Sequence, residues 1–488
     1  MVANDVAKMA ERAKFDDPVL NGVTPTLPEL IAFTQDEHRA IWAGKSRARA
    51  QWNRVAATHG FYDPKLETGL LQTGGPLRAP DSFLPGYVEA DSIAARAGVL
   101  LPLDPGVNLR ASLTHWQPFD HAKRDGHATV AGLSAQIPLL KDRGFETIRL
   151  NTQAAEALAY AAEAGSDTII QNVRHNISTA YIAHLRALAA YQESLSASNR
   201  AARIYAETQE RVKLTANAAY ELHTARMEIA LRTDDVQAAD NAKKQSFLSL
   251  QNAMGFFPFL DPERGMELPR IFPKHFTYDD ELHRWAAFCR INSTNVFNAH
   301  VSDIHHHRRP EMGAAISMQH FHDRQIDLAK TAMKSDLSLR AGIGWRLNDS
   351  QWGYNSGDTF GWEVGIVWTR PFGFTAEQKN LEAAADEHWA AYAEQSVLTN
   401  TIRTETRRAR AALESALQRF ELVQLAVDEA QKALAAEEER FRIGEGRTRN
   451  VLDAQKDLTN ANLRSHDVAA ELLRAYFDLA HATGQLAP

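Results

Sequence analysis

"ERFRIGEGRTRNVLDAQKDL", Glu439–Leu458, joins the end of one helical run to the start of another through two glycines. Gly444 and Gly446 permit a chain reversal that a residue with a Cβ resists. A blurred copy, "ERVKLTANAAYELHTARMEI", occupies Glu210–Ile229, 229 positions upstream. One chain therefore carries the same helix, break and helix twice.

Proline placement sets how far those helices extend. None lies between Pro138 and Pro258, or between Pro371 and Pro488. Because proline removes a backbone donor and clashes inside a helix, both stretches, each longer than 110 residues, are open to unbroken helix. They are rich in Ala, Leu, Glu, Gln and Arg, with apolar residues three and four apart, as at Leu413, Leu417, Phe420 and Val423. Each tract reads as a helical hairpin whose arriving arm begins near Thr147 or Thr375. Such an arm has roughly 70 residues and is about 100 Å long at 1.5 Å per residue. Gly165 is expected to loosen one arm locally.

Upstream of each tract the period falls to two. In "DLSLRAGIGWRL", Leu337, Leu339, Ala341, Ile343, Trp345 and Leu347 alternate with Ser338, Arg340, Gly342, Gly344 and Arg346. In "GWEVGIVWTRPF", Trp362, Val364, Ile366 and Trp368 alternate with Glu363, Gly365, Val367 and Thr369. One face is apolar and the other small or charged, which a lipid-facing strand with a wet lumen requires; a half-buried soluble sheet alternates in the same way. "VNLRASLTHW" and "ATVAGLSAQIPLL" repeat the pair in the first half, with Leu109–Ala111 matching Leu339–Ala341 at a separation of 230. "DPKLETG" from Asp63 resembles "DLSLRAG" from Asp336 at a separation of 273, so the first half carries an insertion of about 43 residues. That insertion holds "SIAARAGVLLPLDPG", whose Pro-Gly turn predicts a further hairpin. Up to four strands are expected in the first half and two in the second. Four or six strands are fewer than the eight of the smallest barrel, so closure needs several copies; three would supply 12 or 18 strands.

Composition narrows the function. A formal net charge of −7 with 24% charged residues argues against nucleic-acid binding. The single cysteine, Cys289, excludes a disulfide within the chain and any CxxC metal site. "MVANDVAKMAERAKF" at the N-terminus lacks a signal peptide's basic start and apolar stretch, and no run of about 18 apolar residues offers a transmembrane helix. Taken literally, this points to a soluble cytoplasmic chain, and a coiled-coil scaffold or adaptor protein is the competing reading.

Assembled in order, these segments resemble the TolC family of outer-membrane efflux proteins. "RFRIGEGRTRNVLDAQKDL" looks like the family's hallmark after its second long helix. "RPEMGAAISMQHFHDRQIDLAKTAMKSDLSLRAGIGW" is similar to its helix entering the second strand pair, and "IPLLKDRG" resembles the strand-to-helix turn of a subgroup. "LPELIAFTQDEHRAIWAGKSRARAQW" fits the first helix, and "GFFPFLDPERGMELPRIFPKHF" the join between halves. The resemblance implies a mainly α fold with transmembrane β: long antiparallel hairpins forming a periplasmic tunnel, below a barrel shared by a homotrimer in the Gram-negative outer membrane. The implied partners are outer-membrane lipid, a periplasmic adaptor and an inner-membrane pump or ABC transporter. The implied role is an exit duct that performs no catalysis and takes no cofactor. Four domains follow: an N-terminal extension (1–26), a first repeat (27–257), a Pro-rich linker (258–278) and a second repeat (279–488).

By the same resemblance the two breaks are periplasmic tips. Arg211, Lys213, Thr215, Arg440, Arg442, Gly444 and Gly446 are then the adaptor-docking positions. Asp453 matches one of the narrowing acidic rings, Asn450 stands at the second, Glu221 is the equivalent acid in the first tip, and Arg447 lies beside the gate arginine's position, which is Gly446 here. Trp116, Trp345, Trp362, Trp368 and Phe372 are assigned to the membrane aromatic belt. His305, His306 and His307, with His300, His320 and His322 near them, raise a metal reading, but successive helical residues point about 100° apart and do not make one ligand face. No GxSxG, P-loop, HExxH or GxGxxG stands in the strand and helix context its chemistry needs.

Overall fold

The computed structural model describes residues 27–73, 92–104, 106–118, 128–214, 219–255, 282–287, 289–290, 309–348, 359–370 and 373–484. The N-terminal extension, the Pro-rich linker, Thr215, Phe372, His300 and His305–His307 lie outside these residues.

Helices dominate: α1 (Leu27–Glu37), α2 (Arg39–His59), α3 (Glu146–Leu214), α4 (Ala219–Ala253), α5 (Pro310–Ala332), α6 (Thr375–Arg442) and α7 (Thr448–Ala482). Among the described residues six strands join them: β1 (Lys65–Thr73), β2 (Ser92–Leu103), β3 (Val107–Pro118), β4 (Ala128–Pro138), β5 (Asp336–Asn348) and β6 (Thr359–Thr369). The long arms have 69 and 68 residues, and both return arms have 35. Gly165 lies inside α3 without interrupting it, and a Cβ there would meet nothing within 4 Å.

The chain divides into two compact units. One comprises residues 1–46, 164–313 and 397–488. Its core gathers Ile177, Tyr181, Leu250, Leu282, Leu413, Phe420, Leu472 and Leu479. Along α6 the buried apolar positions run Ala409, Leu413, Ala416, Phe420, Val423, and along α7 Val468, Leu472, Ala475, Leu479, Ala482. Spacings that alternate between three and four keep one seam facing a neighbouring helix, as in coiled coils. Cys289 is buried in this core, and burial pushes its thiol up to about 12, so it behaves as a small apolar residue.

The other unit comprises residues 47–163 and 314–396 and contains one antiparallel sheet in the order β1-β2-β3-β4-β5-β6. Four strands thus come from the first half of the chain and two from the second. The internal repeat is visible in the strand-to-helix turns. Gly144 and Phe145 have φ of 62° and 52°, and Gly373 and Phe374 have 107° and 50°, the same left-handed pair in each half. Left-handed φ is unusual for a bulky residue. At the first turn Phe145 is held by burial against the edges of Phe61 and Tyr62, and the Asp142 carboxylate accepts the Thr147 N–H at 2.8 Å, meeting a donor that the start of α3 leaves open.

Candidate functional site

Two features carry the site: the break between α6 and α7, and the faces of the sheet. At the break, α6 closes with the Glu445 N–H donating to the Arg440 carbonyl at 3.0 Å and the Gly444 N–H to the Phe441 carbonyl at 3.1 Å. This is the Schellman arrangement, and Gly444 takes its left-handed position at φ 90°. Gly446 is constrained by space instead, since a Cβ there would stand 2.7 Å from the Phe441 nitrogen and 2.9 Å from its Cα. The two glycines of the quoted stretch therefore answer different demands, one conformational and one steric.

Phe441 anchors this tip in a small core with Ile204, Leu434, Val451, Leu452 and Leu458. The Arg211 guanidinium lies 4.2 Å from its ring centroid, within cation–π range, so α3 and α6 meet here. Arg440 pairs with Glu437 at 3.1 Å and Arg442 with Glu439 at 2.7 Å, so both cations are partly neutralised by their own helix. Lys213 lies in the last turn of α3.

The predicted constriction residues separate into two kinds. Arg447, the residue capping the start of α7, and Asn450 and Asp453 in its first turns are exposed, and the Asp453 side chain is 68% accessible with Arg449 at 3.8 Å. Glu221 does not stand with them. It is half-buried, and its carboxylate accepts the Thr448 hydroxyl at 2.7 Å, while Thr448 itself is fully buried and 3.5 Å from the Thr208 hydroxyl. Sequence reading missed this link because it depends on which helices become neighbours.

In the sheet, register sorts residues into rows. One face carries Leu66–Val99–Ala111–Leu133–Ile343–Trp362, and the row beside it carries Thr68–Ala97–Leu113–Ala131–Trp345–Phe360. Leu66, Leu70, Leu113, Leu133, Ile343, Trp345, Phe360, Trp362, Val364, Ile366 and Trp368 are all exposed, Trp362 at 71%. The opposite face carries Glu67–Gly98–Ser112–Gly132–Gly344–Gly361, with Arg96, Arg110, Ser134, Gln136, Arg340 and Glu363 in adjoining rows. Leu71, Leu100, Val130 and Val367 are apolar exceptions there. In the ladder Trp116 pairs with Ala94 and Ala128. Trp345, Trp362 and Trp368 belong to the apolar face, and the Trp345 and Phe360 rings pack 4.9 Å apart.

Histidines are paired with acids and with one another. His322 faces Glu387 at 3.6 Å and His388 faces Asp323 at 3.1 Å. Among the described residues no three His, Cys, Asp or Glu groups come together as a metal site. Desolvation holds His184 down at about 4, and Lys243 adds to it; desolvation, then His175 and Arg309, hold His481 at about 4.

Residues 303–485 match the protein family described as "Outer membrane efflux protein". No curated protein matches the chain in sequence. Among solved structures, the fold is similar to the CmeC outer membrane channel of Campylobacter jejuni at 15% identity and TM-score 0.61, covering 95% of this chain and 87% of that one. It is similar to the outer membrane protein VceC of Vibrio cholerae at 15% identity and TM-score 0.63, covering 94% and 96%. It is also similar to the MtrE outer membrane channel of Neisseria gonorrhoeae at 15% identity and TM-score 0.62, covering 96% and 94%.

Proposed function

We propose that this chain, an outer-membrane efflux protein by its family match and its fold, is the exit duct of a tripartite efflux pump or type I secretion system. The observation that carries the reading is the apolar sheet face. A row of exposed leucines, isoleucine and tryptophans across six strands has no use in water, and a patch that large marks an interface with lipid or protein. From Phe360 to Trp368 the apolar positions of β6 span about 26 Å at roughly 3.3 Å per residue, close to the ~25 Å apolar band of an outer-membrane barrel. A coiled-coil scaffold explains the helices and leaves this face without a role.

In this reading three copies share one barrel in the outer membrane of a Gram-negative bacterium, and the helical hairpins line a periplasmic tunnel. The α3–α4 and α6–α7 tips meet a periplasmic adaptor joined to an inner-membrane pump or ABC transporter. The chain makes and breaks no bonds; it excludes lipid, holds water and stays narrow until a partner widens it. Three Asp453 carboxylates converging at the narrow end would attract cations and repel anions. The exposure of Asp453 supports that role, whereas the Thr448 bond gives Glu221 a tethering one. The test is membrane fractionation of the natural product followed by mass measurement in detergent. A membrane-bound trimer is expected; a monomer in the soluble fraction overturns the reading.

A further inference from the structure

The sheet has two free sides: among the described residues β1 pairs only with β2, and β6 only with β5. In hydrocarbon every main-chain N–H and C=O must find a partner, so an open sheet edge does not persist there. We infer that β1 of one copy pairs with β6 of the next copy, so that the β1–β2 hairpin is part of the membrane wall and three copies close an 18-stranded barrel. The number of copies and their closure into one barrel rest on the exit-duct reading; the place of the β1–β2 hairpin in the wall is the new step. The competing arrangement uses only the repeated strands β3–β6, closes 12 strands, and leaves the inserted hairpin outside the wall.

Three observations favour the wider wall. First, β2 is paired with β3 along its whole length, from Ser92↔Pro118 to Leu103↔Val107. A 12-stranded closure needs that edge of β3 for a neighbour's β6 and would strip off a 12-residue ladder. Second, the faces continue through the insertion. Leu66 extends the apolar row of Val99 and is 74% exposed, and Leu70, opposite Ala95 on the same face, is 82% exposed. On the other face the Arg110 guanidinium of β3 reaches across Gly98 of β2 to the Glu67 carboxylate of β1 at 3.3 Å, and Gly98 brings no side chain into that path. Third, the insertion is seated. The β2–β3 turn puts Gly106, at φ 106°, so close to the turn before α3 that a Cβ would stand 2.7 Å from the Gly144 Cα. Backbone packed on backbone fixes the hairpin beside β4.

With strands about 4.8 Å apart and tilted about 40°, 18 strands enclose a barrel roughly 36 Å across between backbones, against roughly 24 Å for 12. The cross-section at the membrane is thus about twofold larger.

The seam is tested by cysteine pairs in the full-length trimer extracted from membranes. Thr68→Cys on β1 is combined in turn with Trp362→Cys, Val364→Cys or Ile366→Cys on β6, all on the apolar face. Ala111→Cys or Leu113→Cys on β3 replaces Thr68→Cys in the opposing set. A short bis-maleimide is the cross-linker, and buried Cys289 stays silent in the unaltered chain. The expected result is covalent dimers and trimers on denaturing gels from at least one β1–β6 pair and from none of the β3–β6 pairs. Cross-linking of β3 to β6, or an intact trimer without β1–β6 product, overturns the inference while leaving the exit duct standing. A soluble monomer instead overturns the duct itself. Imaging the purified trimer gives a second reading: a barrel near 24 Å across sinks the 18-stranded wall.

Discussion

At the scale of single residues, the tip between α6 and α7 depends on what is absent from Gly444 and Gly446. Gly444→Ala retains its space but sets an L side chain at φ 90°, a cost of about 1–2 kcal/mol. Gly446→Ala drives a Cβ into the Phe441 backbone, which has no rotamer to yield, so it should destabilise the tip more. Hydrogen exchange at Phe441–Thr448 is the measurement: both variants should lose protection, Gly446→Ala the more. Titration acts elsewhere in the helical unit. His184 and His481 are held neutral at about 4 when folded, whereas an unfolded imidazole takes its proton near 6.5. Their contribution is whole above pH 6.5 and drains away as pH falls towards 4, because the unfolded chain gains protons first. The melting temperature should therefore fall between pH 7 and pH 5, and His184→Gln should flatten that slope. The presence of two glycines was legible from the letters alone; their separate duties were not, since one depends on a dihedral angle and the other on a neighbour's backbone.

At the scale of elements, the sheet's phase decides which substitutions are tolerated. Val364→Arg places a charge in the middle of the apolar face and should cost about 2–4 kcal/mol of barrel stability. Ser112→Arg lies on the opposite face in a row holding Gly98 and Gly132, where the guanidinium meets water. Urea unfolding in lipid vesicles should separate the two: a lowered midpoint for Val364→Arg and a change under about 0.5 kcal/mol for Ser112→Arg. Period-two alternation made these strands readable in advance, because a side chain's face follows from counting. The long helices were legible from the proline gaps, and their turns to within a residue or two. What the letters did not reveal was the Glu221–Thr448 bond, which joins residues 227 positions apart and depends on helix neighbours that no local pattern encodes.

At the scale of the whole molecule, the proposed duct makes Asp453 the position at which to test permeation. Asp453→Ala should raise single-channel conductance or weaken block by trivalent cations in a planar bilayer; if neither changes, the residue does not line the narrow end. The near-equal arms, 69 and 68 residues going out and 35 and 35 returning, have a further consequence. In the proposed trimer, three chains bearing two such hairpins would offer six seats that alternate in chemistry, since one turn is built on Gly444 and Gly446 and the other holds threonine at the place of Gly444. A partner ring of six identical subunits must tolerate two kinds of socket, whereas a ring of three can settle on one kind and ignore every second position.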